Sequence, residues 1–392
     1  MQGRREKQED RHVKIPDLTK AAKILKMPID HLEQPCSFLG VYDGHQGQLC
    51  SEFVAKQFHV KLLQRLSSNK VASAWTEEAI TTTLREVCEE LDADFLSKFR
   101  TAPDGCTLVV ALVVGMRLYV AWAGDSRCLL CRHTSRGEIA TVALTDDHRP
   151  SLPGEAERVK KAGGLVVNFD GALRVAHQGF EERIRDIRRA KAQGLGTIGK
   201  EPVALAVTRG LGDRHFKACT GKELLSATPS VQCVRLDQSC QFVALMCDGI
   251  PDVMRNEEIV FELDFSRDPD AAADVKAACG SLVQTAYKRG SGDNLTVILA
   301  RLQWTTEPLK KEDVKSAAAA QAAETTKKSN AAANAGSGSG VSKDEPAAAA
   351  APPLHKEEGE SAVTALKRKH KEDCQDRAAK MSKLEEKGSS KE

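Results

Sequence analysis

All 17 aromatic residues of this 392-residue chain lie at or before Trp304, and the 88 residues that follow contain none. Runs such as SAAAAQAAE and AAANAGSGSGVS in that tail bury too little apolar surface to offset chain entropy. The expectation is one folded region over residues 1–304 and a disordered or transiently helical Ala/Lys/Glu-rich tail over 305–392. A stretch of about 300 residues is long enough for one large core or two ordinary ones.

The net charge is +2, from 57 basic and 55 acidic residues, so no global field draws the chain toward nucleic acid or a membrane. The opening MQGRREKQED is charged throughout and has no signal-peptide pattern. The longest strongly apolar run, LVVALVVGM (Leu108 to Met116), falls well short of the roughly 20 residues that span a bilayer. A monomeric, soluble protein of the cytoplasm, the nucleus or both is expected. The basic cluster from Lys367 to Lys371 is compatible with nuclear import and equally with a solvated mixed-charge helix.

Twelve cysteines are scattered, mostly inside apolar runs, which points to reduced buried thiols and not to a disulfide framework. The single CxxC, Cys128 to Cys131, lies in SRCLLCRH. That segment reads as a strand, where residues three apart face opposite ways, so it makes a poor metal or redox site.

Helical periodicity marks Leu49 to Leu66, with Phe53, Val54, Phe58, Leu62 and Leu66 on one stripe. A second stripe runs from Thr76 to Phe99 through Ile80, Leu84, Val87, Cys88, Leu91 and Phe95, behind a start resembling a capping box. A third helix follows Asp268 and stops at Gly290, where a C-terminal glycine belongs. CTLVVALVV and LYVAWAG, separated by Gly115-Met116-Arg117, read as an antiparallel hairpin, and FVALMC and LTVILARL add further strands. Runs apolar on both faces imply sheets covered on both sides. Helices come in blocks and do not alternate with strands, so the class is α+β.

The charged segment Gly179 to Pro202 reads as a surface insertion. It holds GLGTIG, which fits G-x-G-x-x-G, but no strand precedes it and Pro202 follows. With Lys200 it nearly spells a P-loop, yet Glu201 stands where Ser or Thr must hold magnesium. Both nucleotide readings fail.

What remains is a recurring oddity: buried runs that end in carboxylates. FLGVYDGHQG ends in Asp43-Gly44-His45, FVALMCDG in Asp248-Gly249 and VAWAGDSR in Gly124-Asp125, while Asp293 opens a run and Glu9-Asp10 lie near the start. Each has an ordinary explanation as a turn, a cap or a local ion pair such as Asp125 with Arg127. Repetition shifts the balance, because carboxylates converging beside a dry core repel unless cations lie between them. All-oxygen ligation selects Mg²⁺ or Mn²⁺ over zinc. Two such ions about 3.5–4 Å apart activate a water and neutralise phosphoryl oxygens, a known route to phosphate-ester hydrolysis. Arg5 and His45 are the right residue types to hold the phosphate and to protonate the leaving group.

These residues resemble the metal-dependent Ser/Thr protein phosphatases of the 2C (PPM) family, over essentially the first 302 residues and in order. GRREKQED is similar to the family's R-x-x-x-E-D, VYDGHQG to its D-G-H-x-G, DGCTLVV to its S-G-C/S-T strand and WAGDSR to its G-D-S-R. DDHRP, ERVKKAGGLV, LAVTRGLGD, SATPSV, CDGIPDVM and GSGDNLTVIL follow. The resemblance implies a central antiparallel β-sandwich flanked by helices on both sides, with two Mg²⁺ or Mn²⁺ ions in a cleft at one edge. Asp43 would bridge both ions, Gly44 (by its carbonyl) and Glu9 would complete one, and Asp248 and Asp293 would hold the other. Asp10 would order metal-bound water, and Asp125 with Asp248 matches a weaker third metal site of some members. Arg5 would grip the phosphate of a phosphoprotein substrate and His45 would protonate the departing serine or threonine oxygen. The insertion, residues 179–202, matches a variable flap beside the cleft. Pro251 stands where the family commonly has Trp, and Gln46 where it often has Gly. The alternative is a weak pseudophosphatase that binds phosphoproteins as a scaffold.

Overall fold

The computed structural model describes residues 1–195, 201–217, 223–264 and 275–304, so the expected tail lies outside the described residues. The frame is two stacked antiparallel sheets. The first has five strands in the order β1 (Arg11–Ile15), β2 (Cys36–Tyr42), β5 (Leu108–Val114), β6 (Arg117–Ala123) and β12 (Ser230–Arg235). The second has four, in the order β14 (Val297–Arg301), β13 (Cys240–Met246), β7 (Arg127–His133) and β8 (Ile139–Ala143).

Strand alternation explains why both sheets are apolar on both faces. Along β2 and β5, Phe38, Tyr42, Leu108, Val110 and Leu112 face one core, while Leu39, Val41, Val109 and Ala111 face another. The inner set meets Cys128, Leu130, Val243 and Leu245 of the second sheet. The outer face of the first sheet is covered by α1 (Leu18–Ile24), α2 (Leu49–Ser68) and α3 (Glu77–Lys98). The outer face of the second packs on α7 (Asn256–Glu262) and α8 (Val275–Lys288) through Phe242, Met246, Ile259 and Leu282. Each fully buried Leu or Phe contributes roughly 1.5–3 kcal/mol. The result is four layers, helix–sheet–sheet–helix, as the resemblance implies. Among the described residues no helix is long and apolar enough to cross a membrane.

Local details follow the sequence with some corrections. The hairpin between β5 and β6 turns on Gly115 and Met116, and Cys128 and Cys131 of β7 do point into different cores. Gly290 sits at φ 97° just past α8, and that helix's expected start lies outside the described residues. Thr76 caps the Ala79 N–H at 3.2 Å, but Ala79 at the third helical position has no side chain to reach back, so the capping box is half made. The segment expected to be a surface insertion forms α5 (Phe180–Ala192), anchored by buried Phe180 and Ala190. It packs on the hairpin β9 (Leu165–Phe169) and β10 (Ala172–Ala176), with α4 (Pro153–Lys161) against β9. Residues 196–200, most of the GLGTIG segment, lie outside the described residues.

Candidate active site

At one edge of the sandwich three two-residue strands form a small sheet: β3 (Gly44–His45), β4 (Gly105–Cys106) and β11 (Leu211–Gly212). β3 begins two residues after β2 ends, so Asp43 is the joint between the large sheet and the small one. Its carbonyl accepts the Thr107 N–H at 2.9 Å, which leaves the side chain at the floor of a cleft of about 850 Å³. Arg5, Glu9, Gly44, His45, Asp125, Asp248 and Asp293 line the same cleft. A Cβ at Gly44 would come within 2.6 Å of the Glu9 carbonyl oxygen, so only glycine lets these two segments approach.

The N-terminal segment is stapled on from the far end of the fold. Asn294 accepts the Glu9 N–H at 2.8 Å and donates to the carbonyls of Gln2 and Lys7 at 2.8 and 2.9 Å. Leu295 donates its N–H to the Met1 carbonyl at 2.9 Å. Arg5, 60% exposed, thereby lies at the rim with its guanidinium held two-pronged by Asp293 at 3.0 and 2.8 Å. Asn294 was legible only as a turn residue, whereas it fixes the register of Glu9 and Asp10.

Asp10 is buried, 4% exposed, and accepts the Thr296 hydroxyl at 2.6 Å through Oδ2. Its Oδ1 is buried with no hydrogen-bond partner, an expensive state that marks a place where something else binds. Asp10, Asp43 and Cys247 bring ligand atoms within 4.8 Å of one another, the one such trio among the described residues. Cys247 is already engaged: its thiol donates to the Asn294 carbonyl at 3.4 Å and accepts the Thr296 N–H at 3.2 Å. Burial and the nearby Asp10 push that thiol well above its usual range, which makes it a poor ligand beside the carboxylates.

The electrostatics agree. Burial, then repulsion from Asp248, Asp10, Asp125 and Asp293, raises Asp43 well above the ordinary carboxylate range. Asp248 is raised in the same way by burial and then by Asp125, Asp252 and Asp293. Burial raises Asp10 too, against its Thr296 bond. Carboxylates in this condition fit hard divalent cations: the donors are all oxygen, one oxygen is orphaned, and the charges need neutralising. Glu9, Asp43, Gly44, Asp248 and Asp293 would hold such ions.

Asp125 has a different environment. It is 3% exposed, and its expected local partner Arg127 instead pairs with Asp147 at 2.8 Å. Asp125 is gripped by Arg149 at 2.8 Å, and the same guanidinium reaches Asp252 at 3.0 Å and Asp248 at 3.6 Å. Neither Arg149 nor Asp252 stood out in the sequence. Both lie within motifs, DDHRP and CDGIPDVM, that were matched without roles.

His45 also has a partner hidden from local reading. Its Nε2 lies 2.8 Å from both oxygens of Asp213, which is 168 residues away and fully buried at its side chain. The small sheet explains the meeting: His45 pairs with Gly105, and Gly105 with Gly212. A Cβ on Gly105 would stand 2.0 Å from Asp213 Oδ2. Asp213 adopts φ 50°, a left-handed backbone rare for a non-glycine residue. The preceding Gly212 N–H is held by Asp92 at 2.7 Å, and Lys217 closes on Asp92 at 2.6 Å. Burial opposes protonation of His45, but the charge and hydrogen bond of Asp213 outweigh it and raise the imidazole above its usual range.

Among the described residues, one wall of the cleft is short. It comes from Ala172, Leu173 and Arg174 of β10 and from Leu205 to Val207, and none of the described residues of α5 lines it. Gln46 sits at φ 58°, so a side chain where glycine is favoured costs of order 1 kcal/mol.

Two stacked antiparallel sheets between helices, with a cleft of converging carboxylates at one edge, form an arrangement suited to holding hard cations for hydrolysis. The protein phosphatase 2C family model matches residues 1–295, and the chain belongs to that family of Ser/Thr protein phosphatases. The human integrin-linked kinase-associated serine/threonine phosphatase 2C is 29% identical over 76% of this chain and 70% of its own length. A probable protein phosphatase 2C 56 of rice is 33% identical over 68% of this chain and 62% of its own. Among solved structures, a sex-determining protein of C. elegans aligns with TM-score 0.59 and 27% identity, over 77% of this chain and 63% of that one. The serine-threonine phosphatase 2C of Toxoplasma gondii shares the fold, with TM-score 0.61 and 22% identity over 77% of this chain and 92% of that one.

Proposed function

We propose that the chain is an active phosphatase that uses two Mg²⁺ or Mn²⁺ ions to hydrolyse phosphoserine and phosphothreonine in proteins. The observation that carries this reading is the pairing of Asp10 and Asp43, adjacent carboxylates, one with an orphaned oxygen. Glu9, Asp43, Gly44, Asp248 and Asp293, which line the cleft, would hold these ions, with Asp10 beside Asp43. Bound there, the ions would supply an activated water and positive charge for the phosphoryl oxygens.

The chain's own residues do the rest. Arg5 offers a fork to the phosphate at the rim, its Asp293 bond setting its direction. Asp213 favours the protonated form of His45, from which the imidazole can give a proton to the leaving serine or threonine oxygen. Residues 1–304 form the catalytic unit in this reading. Substrate choice falls to Ala172 to Arg174 and Leu205 to Val207, which wall the cleft.

Hydrolysis of a phosphothreonine peptide by the full chain tests the proposal. Turnover is expected with Mn²⁺, and loss of turnover with chelator or in Asp248→Ala. Turnover that survives both would refute the two-ion mechanism, and peptide binding without turnover would mark a scaffold.

A further inference from the structure

The uncompensated carboxylates of the cleft floor stop at Arg149. That guanidinium sits among Asp125 at 2.8 Å, Asp252 at 3.0 Å, Asp248 at 3.6 Å and Asp147 at 3.8 Å, and is 31% exposed. We propose that Arg149 is a built-in cation standing where a third divalent ion would otherwise bind, so that this cleft takes up two ions and not three. The inference rests on the two-ion reading above and concerns a position, at Asp125 and Asp252, where a metal does not fit this chain.

Three features place the guanidinium there. His148, next in the chain, is buried and stacks flat on Trp122, with ring centroids 5.7 Å apart and planes 8° from parallel. Its Nδ1 accepts the Gly124 N–H at 3.2 Å, and its backbone N–H donates to the Gly124 carbonyl at 2.9 Å. Nε2 is then the protonated nitrogen and donates to Ser230 Oγ at 2.9 Å. His148 is therefore locked against Gly124, the residue before Asp125, and Arg149 emerges directly over that carboxylate.

The second feature is Arg127, which takes Asp147 through two bonds, at 2.8 and 3.3 Å, and so leaves Arg149 free for Asp125 and Asp252. The third is the turn after Asp248. The Asp252 N–H bonds back to the Asp248 carbonyl at 2.9 Å, which brings the two carboxylates to one side, within reach of one fork.

The chemistry excludes sharing. A guanidinium cannot lose its proton to make room for a second cation, and the surrounding carboxylates hold it charged. A divalent ion on Asp125 Oδ2 would meet that fixed charge at contact distance, because the Arg149 Nε–H already donates to that oxygen at 2.8 Å. Arg149 thus does for Asp125 and Asp252 what metal ions would do for Asp43 and Asp248.

The test counts bound ions and needs no turnover. Metal-stripped full chain is titrated with Mn²⁺ into the millimolar range, with the bound ion measured by electron paramagnetic resonance and by calorimetry. The wild type is expected to take two ions per chain, and Arg149→Met, which keeps bulk without charge, is expected to take three. Asp252→Asn in the wild-type background is expected to leave the count at two. A third ion on the wild type, or a folded Arg149→Met that stays at two, would overturn the proposal. If Arg149→Met fails to fold by circular dichroism, the wild-type count and Asp252→Asn decide: a third ion, or a count that drops with Asp252→Asn, refutes the role of Arg149. A wild-type count below two speaks against the two-ion reading itself, whereas a gain of one on removing Arg149 is specific to that residue.

Discussion

Two regions of the molecule treat buried charge in opposite ways. On the sandwich side, Asp10, Asp43 and Asp248 sit at strand ends, each raised first by burial, with Asp248 and Asp10 raising Asp43 further and an orphaned oxygen among them. Beyond the cleft lining, Glu155 of α4 is as buried as Asp10 but fully matched. Arg209 holds it through Nε at 3.0 Å, and Arg158 bonds it at 3.2 Å and also reaches the Thr208 carbonyl. Burial alone would raise the Glu155 carboxyl, yet the Arg209 and Thr208 bonds and the flanking charges hold it at about 2. The lesson is that compensated charge marks scaffold, whereas uncompensated charge marks the place reserved for ions and substrate. Arg149 draws the border between the two regimes inside a single cleft.

Breaking the uncompensated side should have the largest effect on chemistry. Asp248→Ala is expected to lower kcat on a phosphothreonine peptide at least ~10³-fold while the protein stays folded, measured in Mn²⁺ with a circular-dichroism control. Wild-type turnover in that variant would place the ions elsewhere.

The proton donor gives the next largest. Asp213→Asn is expected to lower kcat on phosphopeptides ~10²-fold and to spare an aryl phosphate, whose leaving group departs without a proton. The sign with pH follows from the raised His45 pKa. The acid form is present below the folded pKa, so peptide activity falls as pH rises through it, and Asp213→Asn moves that fall to lower pH. An equal loss on both substrates, with no shift in the pH limb, would make Asp213 structural only.

Breaking the compensated side should cost stability and leave chemistry alone. Glu155→Gln is expected to destabilise the fold by up to about 3 kcal/mol near neutral pH, read by denaturant melts. Because the folded pKa of Glu155 lies below its unfolded value, that contribution is complete above the unfolded pKa and fades as pH falls toward 2. The gap between wild type and variant should therefore close in acid, and a gap independent of pH would assign it to packing. The smallest effect belongs to Gln46→Gly, which relieves a left-handed backbone and should raise stability by about 0.5–1 kcal/mol.

The same division explains what the sequence made legible. Periodic patterns declared α2, α3 and the β5–β6 hairpin, because each is a local repeat of apolar spacing. Asp43, Asp248 and Asp293 were visible because a carboxylate at the end of a buried run violates local expectation. The long-range pairings around them were not visible. Asp213 reaches His45 only because the small sheet aligns Gly105 between them, and Arg149 reaches Asp252 across 103 residues. Asn294 looked like a turn residue until the N-terminal segment was seen to hang from it. A faint signal existed for each, a polar residue within a motif given no role, but pairing at long range is a property of topology and not of spacing.

The central claim, that the floor carboxylates are poised for cations and are a burden without them, is tested most directly by melting wild type and Asp43→Asn in chelator and in Mn²⁺. Removing one repelling carboxylate should raise the melting temperature of the ion-free protein by a few degrees, and the order should reverse in Mn²⁺, where only the wild type gains the full stabilisation of bound ions. An Asp43→Asn protein that melts below the wild type in both conditions would show that Asp43 is structural and that the cleft floor was never short of positive charge.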